Sequence, residues 1–247
     1  MAFEIDAKDL HYRELNKLIR RAVAQGEKEL VIRNVNGHRY LAAGLSAEVK
    51  IDVYGTPGLD LGAFMRGPEI RVHGNTQDGA GNTMDEGKII VEGMAGDVVG
   101  YAMRGGKIHV ASDVGYRVGI HMKAYMEKVP VIIIGGKAGD FLGEYMAGGV
   151  IILLGINSRY PERPIAGIYL GTGMHGGVIY IREGVPETQL GKALQIEPTD
   201  DEDRRKLERY LEEYCRDFGY DLQEIMAADF VKVRPTTHRP YGKLYAY

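Results

Sequence analysis

The run GTGMHG at Gly171–Gly176 has the Gly-x-Gly-x-x-Gly spacing that lets a strand-to-helix turn press main-chain amides against a pyrophosphate. The apolar IAGIYL stands before it, but a dinucleotide fold next needs a helix and a second parallel strand ending in an acidic residue. GVIYIREG follows instead, alternating like a strand, and the cofactor reading stops there. Four histidines, His73, His109, His121 and His175, carry rings able to ligate a metal. They stand at different places in the pattern described below, whereas a metal site needs three or four convergent ligands. His109 lies between Ile108 and Val110 and must leave the face those two share. Asp97 and Asp140 occupy equivalent positions and read as turn residues. Cys215 is the one cysteine, which excludes a disulfide framework and any iron–sulfur or cysteine-rich zinc site made by a single chain. There is no serine–histidine–acid set, no phosphate loop with lysine and no nucleophilic cysteine near the N-terminus. No catalytic, cofactor-binding or metal-binding residue is expected.

The glycines instead belong to a repeat. Anchored on methionine, six segments align: GLDLGAFM ending at Met65, QDGAGNTM at Met84, GDVVGYAM at Met103, GYRVGIHM at Met122, GDFLGEYM at Met146 and GIYLGTGM at Met174. An inner glycine stands three before every methionine, and an outer glycine seven before it in five, with Gln77 the exception. The residue before the inner glycine is always apolar (Leu61, Ala80, Val99, Val118, Leu142, Leu170). The methionine intervals are 19, 19, 19, 24 and 28 residues, a period that belongs to solenoids.

Five and seven residues after the methionine lie pairs such as Ile70 and Val72, Ile89 and Val91, Ile108 and Val110, Ile151 and Leu153, Ile179 and Ile181. This period of two is a half-buried strand. The fourth copy inserts KAYMEKVP (Lys123–Pro130) before the strand VIII (Val131–Ile134). No helical periodicity appears between residues 55 and 184, and 19 residues so rich in glycine hold no helix-plus-strand unit. They suit one coil of a single-stranded parallel β-helix, its coils about 4.8 Å apart. The methionines are expected to form a ladder inside it, with Met103 between Met84 and Met122; packing explains such a column better than metal binding through thioethers.

The chain has 247 residues and a formal net charge of −3, with a pI near 6.2, so nothing electrostatic points to nucleic acid or an anionic membrane. No segment has the apolar length of a membrane span, no signal peptide is visible, and the single cysteine suits a reducing cytoplasm. Residues 1–50 read as a cap: a helix carrying Leu15, Leu18, Ile19 and Ala22, stopped at Gly26, then a hairpin around Asn36-Gly37. Residues 51–196 form the β-helix. In residues 197–247, Thr199-Asp-Asp-Glu202 has capping-box form, Leu207, Tyr210, Leu211 and Tyr214 share a helix face, and VKVRPTTHRPYGKLYAY reads as a tail. The fold class expected is an all-β solenoid with helical flanks at both ends, one flank covering an end or a side.

The repeated coils, the run YGTPGLDLGAFMRG (54–67) and the run GDFLGEYMAGGVIILLG (139–155) resemble the GXGXG domain over roughly residues 35–185. The resemblance implies the right-handed β-helix that forms the C-terminal portion of the glutamate synthase large (alpha) subunit. There the domain carries no catalytic residue and is a spacer between amidotransferase and synthase portions. This sequence shows no N-terminal cysteine nucleophile, FMN barrel or cluster cysteines, so it looks like the GXGXG domain as a separate polypeptide. The implied function is a non-catalytic scaffold subunit of a multi-subunit glutamate synthase. FMN and an iron–sulfur cluster are expected in partner subunits, the amidotransferase and the synthase, with self-association also open. A related β-helix makes up one of the polypeptides of formylmethanofuran dehydrogenase, and the corresponding role in a complex of that type stays as an alternative. So does a β-helix that binds a ligand in its own groove.

Alternation makes one more expectation. Six residues after each methionine the side chain must face outward: Arg71, Ile90, His109, Ile152 and Tyr180, with one or two isoleucines of VIII beside them. Three of the five are large and apolar or aromatic, so the stripe needs a cover. The helix carrying Leu207 and Leu211 is expected to supply part of it, and an identical chain or a partner subunit the rest.

Overall fold

In a computed structural model describing residues 2–237, the alternating run after each methionine is a strand, and the strands stack in chain order. The chain opens with β1 (Phe3–Asp6), α1 (Tyr12–Ala24) and β2 (Glu29–Asn36). Then come β3 (Lys50–Thr56), β4 (Glu69–His73), β5 (Lys88–Val91), β6 (Lys107–Val110), β7 (Val131–Ile134), β8 (Ala147–Leu153) and β9 (Gly176–Arg182). From β1 to β9 every neighbour pairs in parallel, which makes a parallel β-solenoid.

The register sets like upon like. Ile51, Ile70, Ile89, Ile108, Ile132, Ile151 and Ile179 are direct partners along one ladder, and Val53, Val72, Val91, Val110, Ile134, Leu153 and Ile181 along another. Both ladders face the interior, where all six methionines and all six apolar residues preceding the inner glycines join them in one core. Met103 is fully buried. Burial of each such side chain contributes about 1.5–3 kcal/mol, and the repeat supplies a set of them in every coil.

The hairpin expected around Asn36-Gly37 does not form: β2 pairs with β3 in parallel, not with the residues that follow its own turn. Residues 37–45 are instead the turn segment of one more coil, in which Tyr40 and Ala42 have φ of 57° and 58° and Gly62 donates from its amide to the Leu41 carbonyl at 2.9 Å. Leu45 takes the place of the methionine, so the methionine spacing does not reveal this coil. Within α1, Leu15, Ile19 and Ala22 are buried while Leu18 is exposed, and the helix stops as expected, with Gln25 as its C-cap and Gly26 next at a φ of 95°.

At the other end, β10 (Leu194–Pro198), α2 (Asp201–Phe218), α3 (Leu222–Met226) and β11 (Phe230–Pro235) complete the chain. The start of the expected tail is β11, which lies antiparallel between β9 and β10 and closes the stack. Its last ten residues, 238–247, lie outside the described ones. The capping box is shifted by one residue from the expected one. Asp200 accepts from the Asp203 amide at 2.9 Å and Asp203 accepts from the Asp200 amide at 3.2 Å, while Thr199 donates to the Phe230 carbonyl.

Helix α2 covers the outward stripe along the side of the sheet. Ile133, Ile152 and Tyr180 pack with Leu207, Leu211 and Tyr214 in a second apolar core, separate from the first. Ile90 and His109 are also buried, and Arg71 meets the end of α2 through the Asp217 carbonyl. The cover expected in part from a partner is therefore supplied within the chain.

Candidate functional site

With the strand wall sealed, the open side of the solenoid is the wall of glycine turns. Its backbone alternates in a way the sequence pattern does not announce. In each methionine-anchored coil, the residues five, three and one before the methionine have positive φ; around Met103 these are Val98 (50°), Gly100 (67°) and Ala102 (51°). A left-handed conformation costs an L-residue about 1–2 kcal/mol, and for a β-branched one such as Val98 it is a marked departure. The hydrogen bonds show what offsets it. The Val98 and Ala102 amides donate forward to the Tyr116 and Ile120 carbonyls of the next coil, both at 2.8 Å. The Gly100 amide donates backward to Ala80 at 2.8 Å. The amides of these alternate residues thus point up, down and up the stack, and no strand is needed to join the coils.

The two glycine columns serve different ends. The inner glycine has positive φ, and a Cβ on Gly100 would also lie 2.5 Å from Cδ1 of core residue Ile132. The outer glycine carries no such φ in Gly96, Gly115 or Gly167; there a Cβ would fall on a carboxylate oxygen of the coil before, that of Asp78, Asp97 or Asp140. Each carboxylate accepts a main-chain amide of the next coil: Asp78 from Asp97, Asp97 from Tyr116 and Asp140 from Ile168, at 2.8, 2.8 and 2.9 Å. Asp97 and Asp140 are turn residues, as their spacing indicates.

Side chains at the strained non-glycine positions point outward and stack from coil to coil. The Arg117 guanidinium lies 4.5 Å over Phe141, and Phe141 stacks on Tyr169 at 5.2 Å. His121 stacks on Tyr145 at 5.3 Å and meets Tyr101 edge-on. Tyr116, Ile168 and Tyr169 are about half exposed, so this wall presents a broad aromatic surface to solvent.

A cleft of about 520 Å³ opens beside that surface. Its floor is the bridged column Ala95, Val114, Ala138 and Ala166 with the outer glycines next to them. One side is the long insertion of the fifth interval, residues 156–165. Lys137 holds that loop: its ammonium donates to the carbonyls of Tyr160 (3.0 Å), Pro161 (2.7 Å) and Arg163. Asp113 holds its start, accepting the Arg159 amide at 2.8 Å and the Lys137 amide at 2.7 Å. Gln189 closes the far end and is more than nine-tenths buried.

The histidines do not converge. His73 bridges Asp52 (2.7 Å) and Glu92 (3.0 Å) on the outer strand surface; His121 belongs to the turn-wall stack; the His175 amide donates to Met146. His109 lies beneath α2, where Nδ1 is 2.6 Å from Asp217. Among the described residues no three His, Cys, Asp or Glu side chains gather where a metal would sit. The GTGMHG run is a coil turn: Gly171 and Gly173 have positive φ and Met174 is in the core.

Sequence reasoning missed the ionic seam around His109. Lys88 bridges Glu213 and Asp217 at 2.7 Å each, and Lys107 also pairs with Glu213. Burial alone would raise both carboxyls, but the bonds outweigh it: Lys107 and Lys88 bring Glu213 down to about 2, and His109 and Lys88 hold Asp217 below the usual carboxylate range. Burial pushes the His109 pKa down, so the ring is neutral and donates to Asp217. The available signal was Glu213 and Asp217, four apart on one helix face and opposite two strand lysines. Cys215 is buried beside this seam, and burial pushes its thiol up to about 11.

Two comparisons bear on the identity of the fold. An uncharacterized protein of Methanocaldococcus jannaschii is 49% identical over 248 residues, covering 98% of this chain and 95% of that protein. The family described as GXGXG motif matches residues 13–237, well beyond the span of about 35–185 that carries the repeated wording, and the additional coil at residues 29–49 accounts for part of the difference. No helix among the described residues is long and apolar enough to cross a membrane. A family match over nearly the whole chain, on a solenoid whose glycine columns each have a mechanical reason, establishes that this protein belongs to the GXGXG motif family.

Proposed function

We propose that this protein is a scaffold subunit of a multi-subunit glutamate synthase and holds an amidotransferase subunit and a synthase subunit in fixed relation. The family is linked to glutamate synthase-like proteins. The observation that carries the reading is the contrast between walls: the chain covers its own apolar strand stripe with α2 and leaves the aromatic turn wall open. Exposed, rigidly backed tyrosines are the side chains that protein interfaces favour, because they supply large contact area at little conformational cost. The residues present do not fit an iron–sulfur cluster, since the single cysteine is a buried residue of α2 and, among the described residues, no ligand group gathers. FMN and the cluster belong, on this reading, to the synthase subunit.

Co-expression with candidate amidotransferase and synthase subunits, followed by size-exclusion chromatography, tests the proposal. A complex containing all three is expected, lost when Tyr116, Tyr169 and Ile168 are replaced together by serine while the protein still melts normally. Glutaminase or glutamate-forming turnover by this chain alone, or FMN retained through its purification, overturns the scaffold reading.

A further inference from the structure

At the N-terminal end of the turn wall, a groove of about 300 Å³ lies between α1 and the first turn. Tyr12 and Tyr40 wall it, their ring centroids 5.9 Å apart. Its lining also holds Arg13, Lys17 and Arg20, all exposed, and no carboxylate. Arg13 donates from Nε to the Tyr12 hydroxyl at 3.3 Å, Arg20 donates to the Ala43 carbonyl, and Lys17 meets no acceptor among the described residues. Arg13 to Lys17 and Lys17 to Arg20 are spacings at which like charges on a helix repel. Seating α1 does not require this row: Leu15, Ile19 and Ala22 are its buried residues, and Asn16 ties it to the Arg39 carbonyl at 3.0 Å. Acids nearby do not neutralise the row. Glu14, the one acid of α1, shares the other flank of the helix with Leu18 and Arg21, and neither it nor Asp9 forms an ion pair with any of the three cations. Asp60, which holds the place of Tyr40 in the next coil, accepts from Asn82 at 2.9 Å.

What the groove lacks is negative charge, and it offers side chains alone to receive it. The Tyr40 amide donates to Leu59 at 2.8 Å, the Ala43 amide to Tyr40 at 3.0 Å, and the Arg13 amide to His11 Nδ1 at 3.4 Å. A phosphate cradle relies on free amides of that kind. A nucleic acid needs cations along the length of its backbone, which three residues in one groove of a chain with net charge −3 do not supply. A carboxylate needs only an arginine fork or an ammonium, and the tyrosine rings and aliphatic stems suit apolar side chains next to it. We infer that this groove receives an acidic segment of a partner protein, its carboxylates on Arg13, Lys17 and Arg20 and its apolar side chains on Tyr12 and Tyr40. Tyr40 stands five before Leu45, the place that Arg117, Phe141 and Tyr169 take in later coils, so the groove continues the open turn wall. The inference rests on the docking role proposed above and adds the charge of the partner at this end of the wall.

The chain contains no tryptophan, so a capped Glu-Glu-Leu repeat peptide carrying one tryptophan reports its own binding through emission anisotropy. Saturable binding to the full-length protein is expected, and Arg13→Glu with Lys17→Glu should weaken it at least about tenfold. Raised salt should weaken it too. The double variant should melt like the parent, since Lys17 bonds to nothing and Arg13 donates from its side chain only to Tyr12. Lys17→Gln alone disturbs no bond of the fold and should weaken binding by a smaller factor. Arg205→Glu with Arg209→Glu, at two exposed positions of α2, makes the same change of charge elsewhere and should leave binding as it was. Absence of saturable binding, or equal weakening in the two double variants, overturns the inference. So does tighter binding of a single-stranded DNA of matched charge, which marks a nucleic-acid site. None of these outcomes touches the scaffold reading, which stands or falls on assembly with the partner subunits.

Discussion

The strand wall and the turn wall of this solenoid are built from the same repeat and end in opposite states. On the strand wall, outward side chains are sealed under α2, apolar at one end (Ile133, Ile152, Tyr180) and ionic at the other (Lys88, His109). On the turn wall, outward side chains stack on one another and face solvent. The difference follows from the backbone. A strand leaves a flat, regular face on which a helix can seat its own apolar stripe. A turn column with positive φ at alternate residues commits the amides of those residues to neighbouring coils and presents aromatic edges to solvent.

The comparison breaks most severely from inside. Met103→Asp places an unpaired charge in the core that both walls share, a cost of several kcal/mol, and cooperative unfolding followed by circular dichroism should disappear. Next comes Ile152→Lys, which attacks the sealed wall at its apolar end. Loss of melting temperature together with helix signal is expected, because α2 loses its seat; a variant that melts like the parent would mean the helix does not dock there. Gly100→Ala acts on the turn wall, where left-handed φ and the approach of Ile132 together should cost roughly 2–4 kcal/mol by denaturant titration.

The ionic end of the seam sharpens the contrast through pH. Glu213 and Asp217 have lowered pKa values in the fold, so their contribution is present above the ordinary carboxylate range. For Glu213 it is lost as pH falls from about 4.5 to about 2. His109, also lowered, is bound neutral, so its contribution is complete above its unfolded pKa of 6.5 and begins to fall below that value. Stability should therefore decline from about pH 6.5 downward and steeply below about 4.5, and Asp217→Asn should flatten the lower part of that decline, where Asp217 itself titrates, while leaving the His109 part at least as large and costing about 2 kcal/mol at neutral pH. The smallest effect belongs to the open wall: Tyr169→Ser should change stability by no more than about 0.5 kcal/mol. A larger loss would show that the exposed stack is part of the fold and not reserved for a partner.

Much of the solenoid was legible because a repeat writes the same physical constraint many times. Glycine three before methionine and branched residues five and seven after it specify turn, core and strand in every coil except the fourth, where an insertion delays the strand, and the observed ladders follow that count. Where a coil departs from the wording the reading failed. Leu45 in place of methionine hid the coil at residues 29–49 behind an Asn-Gly hairpin signal, since local turn propensity cannot tell a hairpin from a corner until a third strand chooses its partner.

The sequence by itself determined which residues turn inward, because period-two alternation and glycine spacing are properties of the local chain. It also marked Ile90, Ile152 and Tyr180 as needing a cover. Only the tertiary structure decided that the cover is α2, that Lys88 and His109 meet Glu213 and Asp217 from over a hundred residues away, and that the insertion at 156–165 makes one side of a cleft. The physical reason is that contacts between distant segments depend on where a helix is seated and a loop is tethered. Those placements are set by the sum of many weak interactions, and no single stretch of sequence carries that sum.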